Sequence, residues 1–173
     1  MFYPRWIANL AKGPSALRRR AAVQRGGAVS PKARLFARAL AIRHLDAGSC
    51  NGCESEIALL GSPVYDLSRF GFSFTPSPRH ADLLLITGVV TEAMAPVIRA
   101  TYDAMPQPKL VVAAGGCAID GCVFRGAPGV LADLAQIVPV DAYIPGCPPS
   151  PDELLDGLLS LVGRSAPAAG EVG

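Results

Sequence analysis

The 173-residue sequence is poor in charge: Asp, Glu, Lys and Arg together make up 17% of it, and the formal net charge is only +2. A balance that close to neutral gives no electrostatic footprint for nucleic acid. A charge-poor surface also suits a chain partly covered by partners. Acidic residues are missing altogether from positions 1–45, which hold Arg5, Lys12, Arg18, Arg19, Arg20, Arg25, Lys32, Arg34, Arg38 and Arg43. Such a basic arm reads either as a segment for anionic lipid or an acidic partner, or as a solvated tail. No apolar run approaches the roughly 20 residues that a bilayer-spanning helix needs; Leu83–Ile86 and Leu110–Ala114 are far shorter. No secretory or twin-arginine signal follows Arg18-Arg19-Arg20, because Ala21, Ala22, Val23, Gln24 and Arg25 form no apolar core with a cleavage site. The expected location is therefore the cytoplasm. There, five cysteines are ligands or free thiols rather than disulfides. No internal repeat is present.

What is there is a core-forming chain. Half the residues are apolar, enough for one compact domain. Residues 1–40 read as a basic N-terminal extension, 41–163 as the domain and 164–173 as a disordered tail. In the extension, Phe2, Tyr3, Trp6, Ile7 and Leu10 suggest a helical turn. Ser30-Pro31 suggests a second short helix carrying Leu35, Phe36, Ala39 and Leu40 on one side.

Within the domain, strands are expected at Ile42–Asp46, Phe70–Phe74 (an edge), Asp82–Thr87, Lys109–Ala114 and Val140–Ile144. Helices are expected at Cys53–Leu60, Thr91–Met105, Gly129–Ile137 and Pro151–Val162. Continuous apolar strands alternating with helices predict an α/β fold, flavodoxin-like, with a mainly parallel sheet and helices on both faces.

The cysteines fall in loops directly after strands. Asp46-Ala47-Gly48-Ser49-Cys50-Asn51-Gly52-Cys53-Glu54 follows the first, Ala114-Gly115-Gly116-Cys117 the Lys109 strand, and Pro145-Gly146-Cys147-Pro148 the last. The loop Thr87-Gly88-Val89-Val90-Thr91 carries none. In a parallel sheet these loops emerge at one edge, the carboxyl edge, where open α/β sheets bind ligands. Each sulfur lies by a glycine, which permits close approach and turns backbone N–H groups toward an anionic body. A structural zinc site, a thioredoxin-like use of Cys50 and Cys53, and buried structural cysteines are the rival readings. Zinc knuckles usually pair Cys-x-x-Cys on both sides, and the thioredoxin reading leaves Cys117 and Cys147 unexplained. Cys122, five residues past Cys117, reads as a free thiol or a neighbour of the site.

These loops resemble one family: the 20 kDa iron–sulfur subunit of respiratory complex I and the small subunits of NiFe hydrogenases. The resemblance runs from about His44 to Val162. It is densest at Ser77-Pro78-Arg79-His80-Ala81-Asp82, at Met94-Ala95-Pro96 with Tyr102-Asp103-Ala104-Met105-Pro106, and at Ile137–Pro149. It implies one 4Fe–4S cluster on Cys50, Cys53, Cys117 and Cys147. It also implies partners: a NiFe-type (complex I 49 kDa-like) large subunit, a ferredoxin-like iron–sulfur subunit and integral membrane subunits, with the chain peripheral on the cytoplasmic face of the inner membrane.

Complex I subunits carry two adjacent cysteines in the first loop, whereas this chain has Cys50-Asn51-Gly52-Cys53. That spacing, and the absence of medial and distal cluster cysteines, is most like the energy-converting, formate hydrogenlyase-type hydrogenases. The resemblance also implies a place for Glu54 beside the large subunit in proton transfer; the plain alternative is a helix first-turn acid. The match of Arg79 and His80 in complex I lies near the cluster and quinone, which implies that here they tune the cluster or bind the large subunit. His44 is read as structural, and Asp82 and Asp141 as partners of cations or as strand ends. A non-redox alternative remains: a flavodoxin-like binding module or zinc-stapled scaffold, although the first loop lacks the Ser/Thr-rich phosphate turn of a flavodoxin.

Overall fold

The computed structural model describes residues 24–25, 31–131 and 133–164. The expected helical turn at Phe2–Leu10 and the expected tail after Arg164 lie outside the described residues.

Six strands form one sheet: β1 Gln24–Arg25, β2 Leu40–Asp46, β3 Phe72–Phe74, β4 Leu83–Thr87, β5 Leu110–Ala114 and β6 Ala142–Ile144. Their spatial order is β1-β6-β5-β4-β2-β3. All neighbours are parallel except β1, which runs antiparallel to β6. Counted alone, the five parallel strands run 2-1-3-4-5, the flavodoxin-like order, with its switch point between β2 and β4. The expected sheet is therefore present, with β3 at its edge. The antiparallel β1 falls in the stretch read as an extension.

Among the described residues five helices accompany the strands: α1 Pro31–Arg34, α2 Gly52–Leu59, α3 Ala95–Ala104, α4 Gly116–Asp120 and α5 Pro151–Leu161. Strands β4 and β5 are buried along their whole length, so alternate residues feed two cores. On one face Leu40, Ile42, Leu83, Leu85, Leu110 and Val112 pack with Ala33 of α1, Ile57 of α2 and Leu154, Leu158 and Leu159 of α5. On the other, Leu45, Leu84, Ile86, Val111 and Ala113 pack with Ile98 of α3, Ala118 of α4, Leu134 and Val138. Each of these leucine, isoleucine and valine side chains, once buried, contributes about 1.5–3 kcal/mol. Gly157 of α5 is required by its neighbour: a Cβ there would meet Ile144 Cδ1 at 2.6 Å.

Four expectations change. The helix expected at Gly129–Ile137 does not form. Gly126 and Gly129 take left-handed φ of 82° and 76°, Val130 bridges to Thr91, and only the 3-10 turn Leu134–Gln136 remains, capped by Asp133. The helix between β5 and β6 is instead the short α4, which begins at the cysteine loop. Helix α3 starts at Ala95 rather than Thr91, because Thr91 is held in that bridge and Pro96 suits the first turn. The helix expected from Ser30 is four residues long, and Leu40 already belongs to β2.

Candidate metal centre

The loops after β2, β5 and β6 meet at the carboxyl edge. Asp46, at the end of β2, shapes the first: its Oδ1 accepts from the N–H groups of Gly48 and Ser49 at 2.8 and 2.7 Å, and its Oδ2 from the Ser49 hydroxyl at 3.2 Å. This side-chain turn substitutes for a backbone turn and delivers Cys50 exposed and Cys53 buried at the start of α2. The loop after β4 is stitched to it, since Ala47 N–H donates to Thr87 O and Val89 N–H to Gly48 O. Likewise the Cys117 loop is tied to the Cys147 loop: Gly115 N–H donates to Ile144 O at 2.8 Å and Gly116 N–H to Gly146 O at 2.7 Å. A capping box of Ser150 and Glu153 starts α5 directly after the last loop. Such a cap is worth about 1 kcal/mol and fixes where Cys147 sits.

Contact between the first and second loops passes through one glycine. Gly115 has φ of 89°, and a Cβ on it would sit 2.7 Å from Cys53 Sγ. Only a residue without a side chain lets this backbone lie against that sulfur. The four expected sulfurs act on one another electrostatically. Burial pushes the Cys53 thiol up to about 12, aided by Glu54, Cys147 and Cys50. Burial also raises Cys117 to about 12, aided by Cys122, Cys147, Cys53 and Cys50. Cys147 is raised too, chiefly by burial. The structure thus brings Cys50, Cys53, Cys117 and Cys147 into one group. Among the described residues, no three His, Cys, Asp or Glu side chains converge as they would on a single metal ion.

Cys122 joins the group. Its side chain packs beside the Cys117 loop, where a Cβ on Gly116 would stand 3.5 Å from its sulfur, and its charge acts on Cys117 and Cys147. Its spacing from the other cysteines carries no sign of this, because the backbone reverses at Gly121, with φ of 77°.

Sequence reasoning also missed a polar chain beside Cys53. His44 of β2, Thr87 of β4 and Glu54 of α2 share the face that holds α2. Thr87 is fully buried, and its hydroxyl donates to Glu54 Oε1. His44 Nε2 lies 2.8 Å from Thr87 Oγ1 and 3.6 Å from Glu54 Oε1. Since the Thr87 proton points to Glu54, His44 donates to Thr87, which sets its Nε2–H tautomer. Burial holds the His44 pKa below its ordinary value against the opposing pull of Glu54 and Asp46. Glu54 Oε2 is buried without a hydrogen-bond partner.

Arg79 and His80, which the resemblance put near the cluster, are not there. They form an exposed 3-10 turn before β4. The five residues of β4 separate them from the cysteine edge by roughly 17 Å at about 3.3 Å per residue. Asp82 and Asp141 lie at the same distant edge. Asp82 accepts from Ala41 N–H and Asp141 from Val111 N–H, both at 2.9 Å. Asp141 also pairs with Lys32 at 2.6 Å.

The chain is similar to known proteins in sequence and fold. The sequence pattern of the family described as NADH ubiquinone oxidoreductase, 20 Kd subunit, matches residues 50–161. The chain is 44% identical over 123 residues to the probable membrane-bound hydrogenase subunit mbhJ of Pyrococcus furiosus, covering 71% of this chain and 74% of that one. It is 46% identical over 110 residues to an NADH-quinone oxidoreductase subunit of Heliobacterium modesticaldum, covering 63% of each. Among solved structures it resembles a chain of the membrane-bound sulfane sulfur reductase, an archaeal respiratory membrane complex. That match has a TM-score of 0.66 and 39% identity, over 75% of this chain and 72% of the other.

Proposed function

We propose that this chain, which belongs to the NADH ubiquinone oxidoreductase 20 Kd subunit family, holds one 4Fe–4S cluster on Cys50, Cys53, Cys117 and Cys147 and relays electrons within a membrane-associated hydrogenase complex. The observation that carries this reading is the convergence of three cysteine loops, from three parallel strands, at one sheet edge. Its glycines leave no room for side chains: the Gly115 Cβ position is taken by Cys53 Sγ. A cluster held there supplies reversible one-electron storage. Four sulfurs that interact without converging on a point suit a polynuclear body better than a single ion.

The residues around the sulfurs do the rest. The raised Cys53 and Cys117 thiols need a cationic partner to become thiolates, which iron provides. Burial of Cys53 keeps water from that side. Glu54 holds a proton acceptor, Oε1, at the end of the Thr87 and His44 chain, and its buried Oε2 has no hydrogen-bond partner within the chain. This arrangement favours the proton-transfer role for Glu54. The neighbours in this reading are a NiFe-type large subunit on the cysteine side, a ferredoxin-like subunit that exchanges electrons with this one, and integral membrane subunits. Among the described residues no helix is long and apolar enough to cross a membrane, which fits attachment through those partners at the cytoplasmic face.

A second reading, transfer to quinone in an NADH:quinone oxidoreductase, draws on the similarity to the Heliobacterium modesticaldum protein. The spaced Cys50-Asn51-Gly52-Cys53 loop favours the hydrogenase type, since complex I subunits resemble one another in having adjacent cysteines there. The experiment is metal analysis and electron paramagnetic resonance of the anaerobically purified complex, before and after reduction. About four more irons per complex in wild type than in Cys117→Ser, with a reduced-state signal lost in that variant, is the expected result. Stoichiometric zinc with no signal on reduction overturns it.

A further inference from the structure

The exposed arginines of the described residues divide into two sets. Arg69, Arg99 and Arg125 each face an acid: Asp66, Asp103 and Asp120. Arg34, Arg38 and Arg79 are exposed and have no acceptor among the described residues. All of the second set stand at the amino edge of the sheet. We propose that this edge is an interaction surface for the anionic headgroups of a lipid bilayer, with Arg34, Arg38 and Arg79 on the headgroups and Leu35 inserted between them. This rests on the membrane association proposed above and not on the assignment of the cluster ligands.

The fold puts these side chains on one surface. Ile42 of β2 pairs with Leu83 of β4. Arg38 and Arg79 therefore precede the same rung of two adjacent strands by the same number of residues, and the strands run about 4.8 Å apart. The segment leading into β2 is two-sided. Ala33, Phe36, Ala37 and Leu40 pack on the core, while Arg34, Leu35 and Arg38 turn outward, Leu35 with 72% of its surface exposed. Arg164 holds that segment in place, since its Nη1 donates to Ala37 O at 3.0 Å and to Phe70 O at 2.7 Å. The outward side is thus presented by a fixed turn.

Charge selects an anionic surface. The carboxylates of this edge are already engaged: Asp82 with Ala41 N–H, Asp141 with Lys32 and Asp66 with Arg69. None of them is left to neutralise the three guanidinium groups. Leu35 favours a bilayer over an acidic protein face. An apolar side chain bare to water between cations suits the headgroup region, where it points inward and the long charged side chains reach back to the phosphates. No acid occurs in residues 1–45, so the chain entering this edge adds no repulsion. Among the described residues no helix is long and apolar enough to cross a membrane, so the contact is peripheral. The cysteine edge, at the other end of the strands, then faces away from the bilayer and stays open to a large subunit.

Two measurements test the surface. In the first, the full chain is sedimented with vesicles of phosphatidylcholine alone or mixed with phosphatidylglycerol. Wild type should bind the mixed vesicles, release them as salt rises and ignore the neutral ones. A chain carrying Arg34→Gln, Arg38→Gln and Arg79→Gln should bind about 100-fold more weakly, roughly fivefold for each charge, with an unchanged melting temperature. Arg79→Gln alone should cost about fivefold. Arg99→Gln makes the same change in net charge from the middle of α3 and should stay within about twofold of wild type. Wild-type binding by the triple variant overturns the proposal and assigns the lipid to the basic residues before position 24. Equal losses in Arg79→Gln and Arg99→Gln overturn it too, because net charge alone would then decide. In the second measurement, a photoreactive benzoylphenylalanine replaces Leu35 in the complex in its own membrane. A phospholipid adduct is expected on irradiation. An adduct with protein alone overturns the proposal and makes this edge a protein interface. A wild-type chain absent from the membrane fraction overturns the membrane association itself, and this proposal with it.

Discussion

At the amino edge of the sheet, where the parallel strands begin, Asp82, Asp141 and Lys109 are bonded within the chain. Asp82 and Asp141 accept backbone N–H groups of the neighbouring strands. Lys109, only 6% exposed, donates to the carbonyls of Tyr102 and Met105 and stands 3.9 Å over the Tyr102 ring. At the carboxyl edge burial raises the Cys53, Cys117 and Cys147 thiols, Glu54 Oε2 has no hydrogen-bond partner, and Gly48, Gly88, Gly115, Gly146 and Cys122 take positive φ. Unpaired buried polar groups and strained backbone persist where something outside the chain is to complete them. One edge closes the fold; the other, in the function proposed above, receives the cluster and a partner subunit.

The sharpest way to break this comparison is to fill the cysteine edge. Gly115→Ala places a methyl group 2.7 Å from Cys53 Sγ, on a backbone with φ of 89°. Overpacking and the left-handed penalty together cost about 2–4 kcal/mol. Because Gly115 N–H also ties the loop to Ile144 O, the Cys53 and Cys117 loops should separate. Chemical denaturation should show the lower stability and metal analysis a loss of iron. A variant with wild-type iron would mean that the loops are not locked as described.

The difference between the edges was partly legible in the sequence. Strands buried on both faces read as unbroken apolar runs, Leu83–Ile86 and Leu110–Ala114, and a cysteine just past a strand end is placed by topology alone. Left-handed glycines were harder: Gly126 and Gly129 sit in an apolar-periodic stretch, and their positive φ breaks the helix that the periodicity suggests. Thr87 looked like any strand end, because only the packed sheet shows that it is buried between a histidine and a glutamate. Arg79 and His80 show the opposite failure. A resemblance in sequence put them by the cluster, and the direction of β4 puts them at the far edge.

A milder change tests the independence of the amino edge. Asp82→Ala leaves Ala41 N–H without its acceptor and should lower stability by about 1–2 kcal/mol. Iron content, and the potential of the reduced-state signal, should stay as in wild type, since β4 lies between. A shifted potential would show that the two edges are coupled through the sheet, and would weaken the contrast between them.

The smallest effect expected is a dependence on pH that starts at the carboxyl edge. Burial lowers the His44 pKa below 6.5, opposed by Glu54 and Asp46 and aided by Arg43. The unfolded chain therefore takes up a proton near pH 6.5, while the folded chain takes it up only at lower pH. In that window the unfolded state binds more protons, so stability falls as the pH drops through 6.5 and levels once the folded pKa has been passed. His44→Gln keeps an N–H donor for Thr87 and has no proton to gain. The melting temperature, followed from about pH 7.5 to 5, should decline less in His44→Gln than in wild type. Carboxylate titrations are common to both proteins, so the difference between the curves isolates His44. Parallel curves would mean that the His44 pKa is the same in the folded and unfolded protein, the pull of Glu54 and Asp46 then offsetting burial in full.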